Sequence, residues 1–210
     1  MERLLHEGEV YMNTLAYYRD EEKNRERHDP NEGIERILQL KGAVLKQNNR
    51  DGKSKVIATL TNGVGRIKNS NLDKIAIYSM FHFVVPDEQV VELSEVVDER
   101  ILQGFGDTAV TIYDAVDFVT KVKNVALKHG MVHSRHRVEY VDMSARHDEE
   151  VGPFLKDLTF AHQKELRIAV INRVSGPRPI ILNIGSIKDI ACLVPAQDVR
   201  KITIESRVSG

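Results

Sequence analysis

Residues 74–85 read Lys-Ile-Ala-Ile-Tyr-Ser-Met-Phe-His-Phe-Val-Val, the most continuously apolar run in the chain. Apolar side chains at odd and even positions alike suit a strand covered on both faces, because a half-exposed strand alternates. Such a strand belongs at the centre of a sheet, so the rest of the chain must supply its neighbours and the layers that cover it. β-Prone runs occur at 10–15, 33–45, 55–60, 109–113 and 138–141, the last following the basic stretch 133–137. The second and third are separated by a polar stretch with Asp51-Gly52, a hairpin signal. The C-terminal third adds Ile- and Val-rich runs at 165–172, 179–184, 190–194 and 202–204, broken by Gly-Pro and Gly-Ser turns. Helices are expected at 16–27, 90–103 and 115–128. In the last, Val116, Val119, Val122 and Ala126 recur at helical spacing, Asp114 can cap the start and Gly130 stops the end. Strands cluster towards both ends of the chain without regular strand–helix alternation. That predicts an α+β fold: one domain over residues 1–210, with a mixed, mostly antiparallel sheet and two or three packed helices.

At 210 residues and 41% hydrophobic content the chain can bury one substantial core. Lys+Arg 30 against Asp+Glu 31 gives a net charge of -1, so no global field draws it to nucleic acid or an anionic membrane, and any such binding needs a local patch. The first ten residues are charged, without the apolar core of a secretory signal, and no span is long and apolar enough to cross a bilayer. Cys192 is the sole cysteine and lies in an apolar run, which predicts a buried, inert thiol and a reducing, cytoplasmic setting.

Two segments carry the candidate chemistry. In 162–170, strand alternation would send Leu166, Ile168 and Val170 into the core and line the other face with Gln163, Glu165 and Arg167. A carboxylate between an amide and a guanidinium can hold a ribose hydroxyl and stabilise developing positive charge, as glycosyl transfer requires. The ordinary alternative is a polar strand face that meets water. The N-terminal segment carries Tyr11, Tyr17, Tyr18, Arg19, Arg25 and Arg27, then His28-Asp29-Pro30-Asn31-Glu32-Gly33. Tyrosines can stack a base or nicotinamide ring, and arginines can hold phosphates. The ordinary alternative is a solvated helix and loop, with Tyr11 and one of Tyr17 or Tyr18 half-buried.

The pattern Gly8-Glu9-Val10-Tyr11-Met12-Asn13, Tyr18-Arg19 and Asp29-Pro30-Asn31-Glu32-Gly33, followed by Val138-Glu139-Tyr140 and by Lys156 to Arg167, resembles a group of poorly characterised bacterial and phage proteins. In that group an extended segment precedes an Asp-x-x-Glu-Gly turn, and a late motif of Lys, Phe, Glu and Arg opens a C-terminal strand. Gln163-Lys164-Glu165 is also similar to the Gln-x-Glu of ADP-ribosyltransferases. That likeness implies Glu165 as the catalytic carboxylate, Gln163 on the acceptor, NAD as the dinucleotide and an early basic residue holding it. The acceptor would be a protein or a nucleic acid, and the biological setting a toxin or a phage–host conflict factor. The chain departs from that pattern in having no clear Ser-Thr-Ser strand, and the early basic residue is His6, Arg19 or Arg27.

Other constellations are thinner. His129, His133, His136 and His147 fall in one stretch, but no cysteine or paired carboxylate completes a familiar site, so no metal is expected. Asp29, Glu32 and Glu165 could hold magnesium in a nuclease. The basic residues of 121–137 form a patch without interleaved aromatics. The leading expectation is an NAD-dependent ADP-ribosyltransferase-like enzyme, with Glu165 and Gln163 catalytic, Tyr11, Tyr18, Arg19, Arg27 and Arg167 binding the dinucleotide, and Asp29 and Glu32 as further candidates. The alternatives are a non-catalytic interaction module and, third, a metal-dependent nuclease.

Overall fold

The computed structural model describes residues 1–49, 51–87, 89–145, 148–171 and 177–206. Its main sheet has five strands in the order Ile180–Asn183 (β14), Glu9–Thr14 (β1), Ile75–Phe81 (β6), Glu165–Ile171 (β13) and Val132–Arg137 (β9), all neighbours antiparallel. The apolar run is β6 and stands at the centre, as its composition requires. One face of the sheet presents Val10, Met12, Ala76, Ile168, Val170, Ile180 and Leu182 to helix Ala115–Lys128 (α5), which buries Phe118, Val119, Val122 and Ala126. The Asp114 side chain accepts from Asp117 N–H at 2.9 Å, and Gly130 closes the end at φ 67°. Each fully buried side chain of the Phe118 or Val122 kind contributes roughly 1.5–3 kcal/mol.

The opposite face carries a smaller apolar cluster of Leu15, Ile75, Ile77 and Ala169, packed by Tyr18 and Phe154. Helix Glu2–Glu7 (α1) leads into β1, and helix Leu15–Asp20 (α2) follows it with Thr14 as its N-cap. Strand Ile34–Gln39 (β2) pairs antiparallel with Val64–Lys68 (β5) and Glu149–Glu150 (β11). Between β2 and β5 the chain makes the hairpin Val44–Asn48 (β3) and Ser54–Thr59 (β4). Glu139–Val141 (β10) and Leu155–Asp157 (β12) form a parallel pair. Thr108–Ile112 (β8) pairs with Ala191–Pro195 (β15), and Val90–Glu92 (β7) with Thr203–Glu205 (β16). Short helices Leu93–Val96 (α3), Glu99–Gly104 (α4) and Ala196–Val199 (α6) complete an α+β architecture. Among the described residues no helix is long and apolar enough to cross a membrane.

Four local expectations fail for identifiable reasons. The helix expected at 90–103 begins as β7, because the β-branched pair Val90-Val91 finds strand partners in β16, and Asp98 caps a separate helix, α4. The helix expected at 16–27 ends at Asp20, and Asn24 is tied to Gly104 O at 2.6 Å instead. The basic stretch 133–137 is itself a strand, β9, whose exposed Arg135, His136 and Arg137 occupy a sheet edge, a place where charge discourages pairing with other chains. Cys192 is exposed, since β15 alternates and turns Ala191 inward.

Candidate functional site

The main sheet ends where β6 stops at Phe81, β9 stops at Arg137 and β13 starts at Glu165. Lys164, just before β13, adopts the left-handed region at φ 42°, an uncommon conformation for a residue with a side chain, costing of order 1–3 kcal/mol. Gln163 therefore lies not on the strand but at the end of a 3-10 turn, Leu158–Gln163. The bend at Lys164 nevertheless brings Gln163 and Glu165 to one cation: Lys156 Nζ donates to Gln163 Oε1 at 2.8 Å and to Glu165 Oε1 at 2.7 Å. The face-sharing expected from strand alternation is thus achieved by another route.

Arg167 occupies the centre. Its Nε donates to Glu165 Oε2 at 2.7 Å, Nη1 to Glu32 Oε1 at 2.7 Å and to Pro153 O at 2.7 Å, and Nη2 to Glu32 Oε2 at 2.8 Å. This two-pronged pair joins the N-terminal turn to the C-terminal strand. The network continues from Gln163 Nε2 to Glu26 O at 2.5 Å and from His162 Nε2 to Glu26 Oε2 at 2.9 Å. Glu32, Lys156, Gln163, Glu165 and Arg167 are all buried. The polar strand face expected to meet water is therefore enclosed, because opposite charges from three segments cover it.

The turn that delivers Glu32 is built locally. Asp29 Oδ1 accepts from Asn31 N–H at 2.8 Å, and Glu32 N–H donates to Asp29 O at 3.0 Å. Gly33 then takes φ 64°, where a Cβ would stand 2.7 Å from Leu15 Cβ, so sterics require glycine after Glu32. Arg19 holds the turn from behind, donating to Glu32 O at 3.3 Å while pairing with Asp20 and Asp73.

Electrostatics separates the carboxylates. Burial alone would raise Glu165, but the charges of Arg167 and Lys156 outweigh it and hold this carboxyl far below its usual range. Burial would likewise lower Arg167, and Glu165 and Glu32 outweigh that and raise it. Lys156 and Arg167 are engaged by Glu165 and Glu32, and their pull on Asp29 is weaker than the burial that opposes it. Burial, then the charge of Glu32, pushes Asp29 up to about 6, and its Oδ2 has no hydrogen-bond partner among the described residues. Between pH 3.8 and about 6 the folded chain keeps a proton that the unfolded chain has lost, so this group's stabilising effect fades as pH rises through that window. Asp29→Asn is expected to melt like wild type below pH 4 and to be more stable at pH 7.5, by up to about 3 kcal/mol. Denaturant unfolding at the two pH values measures this, and equal stability at both would contradict it.

The structure thus brings Gln163, Glu165, Arg167 and Glu32 into one network and sets Asp29 beside it. Tyr18 packs alongside: burial pushes its hydroxyl up to about 12, with Arg27, Glu32 and Arg167 contributing opposing charges. Arg27 lies further out, against Glu22 at 3.4 Å, and Arg19 acts through backbone and acidic neighbours rather than on the network's side chains. Tyr11 is half exposed on β1, where its partner is Ile181 of β14, and β6 separates β1 from β13. Glu26 was not foreseen and no local pattern marks it. Lys156 was marked only as the first residue of the late motif.

A cleft of about 330 Å³ opens at the sheet end, lined by His82, Phe83, Arg137, Tyr140, Lys164 and Glu165 among others. Glu165 N–H donates to the Tyr140 hydroxyl at 2.8 Å, and burial with the Glu165 charge pushes that hydroxyl up to about 12. Burial and then Arg137 and Arg135 push the His82 imidazole down, favouring its neutral form. Glu165 borders this cleft as a residue, while its two carboxylate oxygens are engaged by the buried Lys156 and Arg167. Of the candidate histidines, His147 lies outside the described residues. Among the described residues no three His, Cys, Asp or Glu side chains converge as a metal set. No family model, curated protein or solved structure matches the chain.

Proposed function

We propose that this chain is an NAD-dependent ADP-ribosyltransferase-like enzyme whose reaction takes place in the cleft at the end of the main sheet. The observation that carries the proposal is Glu165, an ionised carboxylate fixed by Lys156 and Arg167 and lining a cleft with aromatic and basic walls. In this reaction the bond from nicotinamide nitrogen to the ribose anomeric carbon breaks and neutral nicotinamide leaves with the bonding pair. An acceptor nucleophile then bonds to that carbon and gives up its proton. Glu165 would accept a ribose hydroxyl and face the positive charge that develops on the sugar. Phe83 and Tyr140 supply ring surfaces for nicotinamide, and Arg137 a planar donor for a phosphate. In this reading the dinucleotide contacts pass from Tyr11, Tyr18, Arg19 and Arg27 to Phe83, Arg137 and Tyr140, with Arg167 acting on Glu165 rather than on phosphate.

The closure of the network on itself favours a second reading, a non-catalytic interaction module in which these charges only fasten the N-terminal turn to β13. A nuclease is less well supported, because Glu32 would have to leave Arg167 to bind magnesium. A thermal-shift titration separates the first two. NAD at about 100 times its dissociation constant adds about 2.7 kcal/mol, a rise on the order of 5–10 °C for a chain of this size. Arg137→Glu should lose most of that rise while melting like wild type without ligand. No response to millimolar NAD, or a full response in the variant, would leave the interaction module as the better reading.

A further inference from the structure

The hairpin β3–β4 projects beyond β2 and β5: the β2–β5 ladder ends on Leu40 N–H to Gly63 O at 2.8 Å, and the β3–β4 ladder starts on Leu60 N–H to Ala43 O at 2.8 Å. It packs on no core: β3 is exposed throughout and β4 nearly so. A two-stranded ribbon is marginal by itself, so its retention as a long exposed arm calls for a partner. Between residues 41 and 60 the chain carries Lys41, Lys46, Arg50, Lys53 and Lys55 against Asp51 alone, a net of +4 in a chain whose total is -1. Lys41, Lys46, Lys53 and Lys55 are all exposed, and among the described residues their ammonium groups have no hydrogen-bond or ion-pair partner.

The register decides which polyanion fits. Val44, Lys46 and Val56 share one face, and Leu45 and Lys55 the other, with an irregularity between Leu45 and Lys46. Apolar and basic side chains therefore lie on both faces. A membrane surface needs one apolar face, and pairing with a second copy would bring like charges together. A groove with phosphates on both rims suits two mixed faces, and the major groove of B-form DNA, about 12 Å wide, admits a two-stranded ribbon. The A-form groove of duplex RNA is too deep and narrow for this.

We propose that the β3–β4 hairpin is a DNA-binding arm that enters the major groove of a duplex, with its lysines on backbone phosphates and the face that carries Val44 and Val56 against base edges. This surface lies outside the Glu165 cleft and does not rest on the transferase reading. The test is fluorescence anisotropy of the full chain with labelled DNA duplex, RNA duplex and anionic vesicles. The DNA duplex is expected to bind best, with a log–log salt slope of about -3 to -4 from four or so neutralised phosphates. The triple variant Lys46→Glu/Lys53→Glu/Lys55→Glu should bind at least about tenfold more weakly at low salt, with unchanged melting temperature. A control, Lys123→Glu/Lys128→Glu/Lys188→Glu, removes equal charge elsewhere and should bind like wild type. Absence of DNA binding, an equal loss in the control, or stronger binding to RNA or vesicles would overturn the proposal.

Discussion

Arg167→Met is expected to remove about 3–5 kcal/mol of stability at neutral pH, the largest effect of a single substitution in this chain. Arg167 is fully buried and makes four hydrogen bonds, three of them to Glu32 and Glu165. Methionine fills much of the space but leaves two enclosed carboxylates without that shared cation. The pH dependence should also invert. In the wild type Glu165 is held low, so its contribution is full above the unfolded value near 4.5 and is lost as pH falls. In Arg167→Met, Glu165 keeps only Lys156 and the cost of burying its charge dominates, so the deficit should shrink as the solution is acidified towards pH 4. Adding Glu32→Gln to the variant should recover part of the loss, because the two residues act as one unit. Urea unfolding at pH 7 and pH 4.5 measures all three. Wild-type stability for Arg167→Met at pH 7 would mean that this ion pair does not hold the N-terminal turn to β13.

Much of the scaffold was legible because its signals are local. The central strand follows from the run 74–85, the Asp51-Gly52 hairpin and α5 have their turn and cap residues in place, and the C-terminal strands are Ile- and Val-rich. The expected helix at 90–103 misled because residues with mixed propensity were claimed by β16, more than a hundred positions away in sequence. The site was legible in its residues but not in its state. Gln163, Glu165, Arg167, Asp29 and Glu32 were singled out, and Asp29, Glu32 and Glu165 were even grouped as a magnesium set, but only the fold shows Glu32 gripping Arg167 across 135 positions. That contact converts a strand face expected to be wet into a buried one. The cleft residues Phe83, Arg137 and Tyr140 come from the segment after β6, the end of β9 and the middle of β10, and share no spacing, so no pattern along the chain points to them together.

The second large effect is on chemistry. Glu165→Gln keeps the volume and one acceptor oxygen but removes the negative charge that would face the sugar. The rate of nicotinamide release from NAD should fall by about 10²–10³-fold, while NAD still protects the variant from thermal unfolding. Losing the pairs to Lys156 and Arg167 also weakens the fold, so the comparison belongs at a temperature where circular dichroism shows both proteins folded. Nicotinamide release by wild type, followed by chromatography with and without candidate acceptors, is the most direct measurement. Release that depends on Glu165 is the expected result. No release by folded wild type under any acceptor condition, or undiminished release by Glu165→Gln, would contradict a catalytic role for the carboxylate at the end of the main sheet.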